Sequence, residues 1–102
     1  MKFTETSILT IYTEAALETR LTDDFESFNV PGYTITNARG KGSRGARTAA
    51  WQADSNIRIE IICEDSLANE LAEYLRAHYY DNFAMVVSIS EVKVMRPEKF
   101  ER

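Results

Sequence analysis

In two places a short run of strand composition hands over to a stripe of large apolar residues at helical spacing. That order restricts the fold more than any other feature of the sequence. The first strand run is Ile8-Leu9-Thr10-Ile11-Tyr12; behind it Leu17, Leu21, Phe25 and Phe28 recur along one helical face. Thr13 is placed to cap that helix, Glu14 and Glu18 sit near the positive end of its dipole, and Val30-Pro31-Gly32 stops it. In the second place Ile57, Ile59, Ile61 and Cys63 alternate on one face of a strand. Asp65 or Ser66 then caps a helix whose stripe is Leu67, Leu71, Leu75 and Tyr79, with Ala68 and Ala72 beside it. Two further strands are predicted, one over Tyr33-Thr34-Ile35-Thr36 and one from Ala84 to Ser90. The apolar phase of the last strand changes between Ile89 and Val92, which predicts a bulge or a second buried face. The resulting order, βαββαβ, predicts an α+β, ferredoxin-like sandwich with an antiparallel sheet.

The second and third strands are separated by a long loop, about residues 38–54, and this loop holds the chemistry. All four glycines of the chain lie between Gly32 and Gly45. Arg39-Gly40-Lys41-Gly42-Ser43-Arg44-Gly45-Ala46-Arg47 carries four cations and no carboxylate. Glycine lets backbone N–H groups turn toward an oxyanion, and Ser43 with the guanidinium forks of Arg44 and Arg47 adds donors. The chain carries −4 overall and this stretch +4, so the remaining residues sum to −8. Nucleic-acid binders spread positive charge across a face and have a high pI, so a small anion, such as a phosphate, suits a local cationic site on an acidic body better. The plain alternative is a solvated charge run. Trp51, the only tryptophan, lies in the same loop and either folds back on its own domain or meets a ligand or neighbour.

With 102 residues, 44% of them hydrophobic, the chain is expected to form one domain over residues 1–102 without disulfides or a structural metal. A single cysteine, Cys63, and a single histidine, His78, supply neither a disulfide, nor a Cys/His metal set, nor a Cys/His or Ser/His/Asp catalytic set. Cys63 reads as a small buried apolar group and His78 as a residue favourable to a helix C-terminus. No apolar run approaches the roughly 20 residues that span a bilayer, and the start is not a signal peptide; a cytoplasmic location is expected.

Gly32-Tyr33-Thr34, then Gly40-Lys41-Gly42-Ser43-Arg44 with Arg47, then Asp54-Ser55-Asn56, resemble the PII-like signalling proteins. Within them the chain looks most like the members tied to inorganic carbon, the bicarbonate-transporter regulator SbtB and the carboxysome-associated CPII. The resemblance runs from the first strand to about Arg96. It implies a homotrimer with an adenine nucleotide in each intersubunit cleft and the long loop acting as a T-loop. It implies that Gly32, Tyr33 and Thr34 lie along adenine and ribose, and that Ser43, Arg44 and Arg47 hold phosphate oxygens. Lys41 and Gly42, with Ser43 and Arg44, would form a bicarbonate pocket. Asn82-Phe83-Ala84-Met85 stands at the B-loop position, where Phe83, Ala84 and Met85 would reach the base from the adjoining chain. Lys93 and Arg96 stand where basic residues of the family reach the nucleotide.

Departures from the family narrow the expectation. The 38–54 loop contains no tyrosine, so uridylylation is not expected. Where nitrogen-regulating members use a glutamine and magnesium for 2-oxoglutarate, this chain has Arg39-Gly40-Lys41, and 2-oxoglutarate sensing is not expected. The cysteine-containing tail frequent in SbtB is not expected, with the single cysteine, Cys63, in a predicted strand, and this favours the CPII-like reading: ADP or AMP bound together with bicarbonate, in a sensor rather than an enzyme, with a transporter or a carboxysome-related protein as partner. The alternatives are an SbtB-like sensor of cyclic AMP or AMP, and an acylphosphatase-type enzyme. The latter places its phosphate loop near the first strand, whereas the anion motif here follows the second. A nucleic-acid module on this fold needs exposed aromatics on the central strands, where this chain offers Ile59, Ile61 and a single Tyr12.

Overall fold

The computed structural model describes residues 3–40 and 55–101. Its elements are β1 (Thr4–Glu14), α1 (Glu18–Ser27), β2 (Thr34–Ala38), β3 (Asn56–Cys63), α2 (Asp65–Tyr79) and β4 (Met85–Val94). They build one four-stranded antiparallel sheet in the order β2-β3-β1-β4, the expected βαββαβ arrangement. Ile11 lies opposite Ile59 on one side and Val87 on the other, and Leu9 opposite Ile61 and Ile89. Leu9, Ile11, Ile57, Ile59, Ile61 and Cys63 form the buried core face of the sheet, with Val87 packed against it, whereas Ile89 on the edge strand stays exposed. Leu17, Leu21 and Phe25 from the first helical segment, and Leu67, Leu71, Leu75 and Tyr79 from α2, complete the same cluster. Each such large side chain removed from water contributes about 1.5–3 kcal/mol, which is what holds both helices to one face. The opposite face carries Thr34, Glu60, Thr10 and Ser88 in one row and leaves Tyr12 and Val86 exposed.

Several local expectations change. β1 extends beyond Ile8–Tyr12 at both ends because it is central and pairs along its length with both neighbours. Thr13 therefore belongs to the strand and caps no helix: it is fully buried, and its hydroxyl donates to the Ala84 carbonyl (2.7 Å). A 3-10 turn at Ala15–Leu17, without a side-chain cap, leads into α1. The carboxylate of Glu14 instead accepts the Ala84 N–H (2.9 Å). α1 stops before Pro31, because Asn29 adopts the left-handed conformation (φ 56°). The Asn29 N–H donates to the Glu26 carbonyl (3.0 Å) and the Val30 N–H to that of Phe25 (3.1 Å), the two bonds of a Schellman ending. Neither Asp65 nor Ser66 caps α2: the capping position is Glu64, with no side-chain bond, and Asp65 opens the helix. Asp65 accepts hydrogen bonds from Ser7 Oγ (3.1 Å) and Asn69 Nδ2 (3.1 Å). β2 starts at Thr34 and reaches Ala38, so Tyr33 precedes it. β4 contains no bulge, since its pairing with β1 runs unbroken from Thr4–Val94 to Thr13–Met85. Its phase change marks a second covered face: Met85 and Val87 point to the core, whereas Val92 and the buried Val94 lie on the other side.

A polar clasp joins the two helices on their outer side. Asp24 of α1 accepts hydrogen bonds from the hydroxyls of Tyr74 (2.9 Å) and Tyr79 of α2. Arg20 lies over the rings of Tyr79 (5.0 Å) and Phe83 (5.4 Å), and His78 stacks on Tyr74 (4.0 Å) while its Nδ1 approaches the Tyr74 carbonyl (2.9 Å). The hydrogen bond to Asp24 pushes the Tyr74 phenol up from its ordinary value; burial, then the same carboxylate, does so for Tyr79.

Candidate functional site

The Schellman ending of α1 turns the chain so that Pro31-Gly32-Tyr33-Thr34 enters the sheet edge as an exposed strap, with Tyr33 tilted against Phe25 (5.4 Å). This strap borders a cavity of ≈ 200 Å³ lined by Pro31, Gly32, Tyr33, Thr34, Glu60, Ile62, Lys99 and Phe100. β3 supplies Glu60, directly opposite Thr34 in the ladder. Lys99 and Phe100 come from a 3-10 turn, Pro97–Phe100, that follows β4. The cavity thus combines apolar surface with two hydroxyl-bearing residues, one carboxylate and one ammonium, a lining suited to a polar organic molecule rather than a bare anion. Glu60 also faces Arg58 (3.8 Å), on the same side of β3.

Of the residues singled out in the sequence, Gly32, Tyr33 and Thr34 line this cavity. Phe83, Ala84 and Met85 stand at the opposite edge of the sheet, where β4 begins. There Phe83 packs on Tyr79 (5.9 Å), and Ala84 is pinned to β1 through Thr13 and Glu14. A single chain therefore does not bring these two groups together. Lys93 lies on β4 opposite Glu5, and Arg96 precedes the C-terminal turn, its carbonyl accepting the Lys99 N–H (3.1 Å); neither lines the cavity. Arg39 and Gly40 are exposed just beyond β2. Lys41, Gly42, Ser43, Arg44, Arg47 and Trp51 lie outside the described residues.

Glu60, Ile62, Lys99 and Phe100 were not among the site residues expected from sequence. For Glu60 and Ile62 the signal existed, since alternation along β3 puts them on the face opposite Ile59 and Ile61. For Lys99 and Phe100 the cue was Pro97, which favours a turn immediately after Arg96. Among the described residues no group of three His, Cys, Asp or Glu side chains is placed to hold a metal. No helix among them is long and apolar enough to cross a membrane.

The family model for nitrogen regulatory protein P-II matches residues 6–99. A PII-like signaling protein of Thermus thermophilus is 36% identical, with 98% of this chain and 99% of that chain covered and a TM-score of 0.81. CPII of Thiomonas intermedia K12, a nitrogen regulatory PII-like protein, is similar in its complex with ADP, AMP and bicarbonate: 28% identity, 99% and 98% coverage, TM-score 0.83. Its complex with ADP and bicarbonate aligns at 30% identity over 97% of both chains, with a TM-score of 0.82.

Proposed function

This chain belongs to the nitrogen regulatory protein P-II family, and from that membership we propose that it is a cytoplasmic sensor that binds ADP or AMP together with bicarbonate. The observation that carries this reading is the likeness, over nearly the full length of both chains, to CPII bound to ADP, AMP and bicarbonate. The open cavity beside Gly32, Tyr33 and Thr34 supports it, because the family resemblance implies that adenine and ribose lie along this strap. In the proposed homotrimer, Phe83, Ala84 and Met85 of an adjoining chain face the base, which accounts for their position at the far edge of their own sheet. Lys93 and Arg96 reach toward the nucleotide across the same seam. Ser43, Arg44 and Arg47 hold the phosphates through charge-assisted bonds, and Lys41, Gly42, Ser43 and Arg44 form the bicarbonate pocket.

The protein acts by binding, not by turnover. A nucleotide phosphate and bicarbonate repel each other, so joint binding needs a compensating gain. Ordering of the loop by the nucleotide supplies it: fixing a backbone residue costs about 1–2 kcal/mol, and the second ligand escapes part of that cost. The coupled state then signals to a partner in inorganic carbon uptake, a bicarbonate transporter or a carboxysome-related protein.

Thermal denaturation with ADP, AMP, cyclic AMP and ATP tests the reading. A ligand at 100 times its dissociation constant stabilises the folded state by about 2.7 kcal/mol, so ADP and AMP should raise Tm. Absence of a shift with every adenylate would refute the assignment.

A further inference from the structure

We propose that Glu14, at the end of β1, is a positioning residue of the nucleotide site: with Thr13 it grips Ala84 by both its N–H and its carbonyl, and so sets the Phe83–Met85 segment in place before an adenine meets it. The inference rests on the sensor reading above, in which Phe83, Ala84 and Met85 face the base bound by an adjoining chain, and deepens it by naming the side chain that holds them.

The ladder between β1 and β4 stops at the pair Thr13–Met85. One rung further the register would set Glu14 opposite Ala84, and there side chains take over from the main chain. The Ala84 N–H donates to Glu14 Oε2 (2.9 Å), and the Ala84 carbonyl accepts from the Thr13 hydroxyl (2.7 Å). Alternation along β1 puts Thr13 on the core face and Glu14 on the open face, so the two grips come from opposite sides of the sheet. Ala84 is only 3% exposed, a depth at which an unmade backbone bond is costly. Glu14 is itself anchored on the β3 side: it pairs with Asn56, and the N–H of Ala15 donates to the Ser55 carbonyl (2.8 Å).

Phe83 is held by other means. The N–H groups of Asn82 and Phe83 both donate to the Tyr79 carbonyl (3.2 and 3.0 Å), the Phe83 ring tilts against that of Tyr79 (5.9 Å), and Arg20 lies over both rings. Those contacts tie the turn to the helices; Glu14 and Thr13 tie its last residue to the sheet. Without the Glu14 bond the turn would still form, but its junction with β4 would sample other positions. A segment already in its bound position spares the ligand that ordering. When only a fraction of molecules holds the position, the apparent affinity falls by the same fraction.

Amide hydrogen exchange and titration calorimetry with ADP test this on wild type, Glu14→Ala and Glu14→Gln. In Glu14→Ala the Ala84 amide should exchange faster while the core amides of Ile59 and Leu71 keep their protection. ADP should bind that variant about two- to tenfold more weakly, the span of one hydrogen bond's net contribution. Glu14→Gln keeps an acceptor and should regain part of both. ADP affinity unchanged in Glu14→Ala overturns the proposal even where Tm falls, because a bond that serves stability alone gives that result. Wild-type exchange at Ala84 overturns it too, as does Glu14→Gln behaving no better than Glu14→Ala. Should Glu14→Ala not fold, the same two readouts on Glu14→Gln against wild type decide. A wild-type protein that binds no adenylate is a different outcome: it removes the sensor reading, and this inference with it.

Discussion

Asp24 ties the two helices together through both of its carboxylate oxygens. Two phenols donate to one half-buried carboxylate, and Arg20 sits over the ring of one of them. Replacing Asp24 by Ala should lower stability by about 1–2 kcal/mol, the lower part of the range for bonds to a charged acceptor, because solvent can replace part of what is lost. Differential scanning calorimetry would show this as a Tm decrease of about 4–8 °C per kcal/mol. The same clasp sets a pH dependence. Both phenols titrate above their ordinary value of 10.0 in the folded state. Their contribution is thus complete below about pH 10 and is lost as pH rises from there through the raised folded values. Melting curves between pH 8 and 11 should show the wild type losing stability at the alkaline end, and Asp24→Ala losing less. Equal losses in both proteins would contradict the clasp. None of this was visible in the sequence, where Asp24 and Tyr74 are 50 residues apart and neither belongs to an apolar stripe.

At the scale of elements, periodicity identified types well and ends poorly. The alternation Ile57-Ile59-Ile61-Cys63 and the stripe Leu67-Leu71-Leu75-Tyr79 each proved buried, because a side chain every two or every 3.6 residues has only one face to offer the core. Boundaries depended on bonds between segments far apart in sequence. Thr13 has the chemistry of a cap, but a strand paired on both sides keeps it, and its hydroxyl satisfies Ala84 instead. The end of α1 was attributed to Val30-Pro31-Gly32, yet the turn is made one residue earlier by Asn29, a residue tolerated at positive φ. Asn29→Ala should therefore cost up to about 1 kcal/mol, because alanine keeps the Cβ that disfavours the left-handed region and loses the short polar side chain that offsets it. Asn29→Gly should be neutral or mildly stabilising. Urea denaturation of the two variants distinguishes this from a loss of side-chain contacts, which would make glycine the more harmful change.

For the whole molecule, the separation of Gly32–Thr34 from Phe83–Met85 across the sheet carries a prediction about assembly. If both groups face one nucleotide, they come from different chains, and sedimentation velocity should report a trimer rather than a monomer. Of the cavity lining, the sequence singled out Gly32-Tyr33-Thr34 but not Glu60 and Ile62 of the adjoining strand. Lys99 and Phe100 escaped because only the three-dimensional return of the chain beneath the sheet brings them to that cavity. The most direct test of the sensor is titration calorimetry of ADP with and without saturating bicarbonate. Linkage requires each ligand to tighten the other by the same factor, typically about 5- to 150-fold for coupled sites. The predicted result is tighter ADP binding in bicarbonate; an ADP affinity that is identical in both solutions, or no ADP binding in either, would contradict the account.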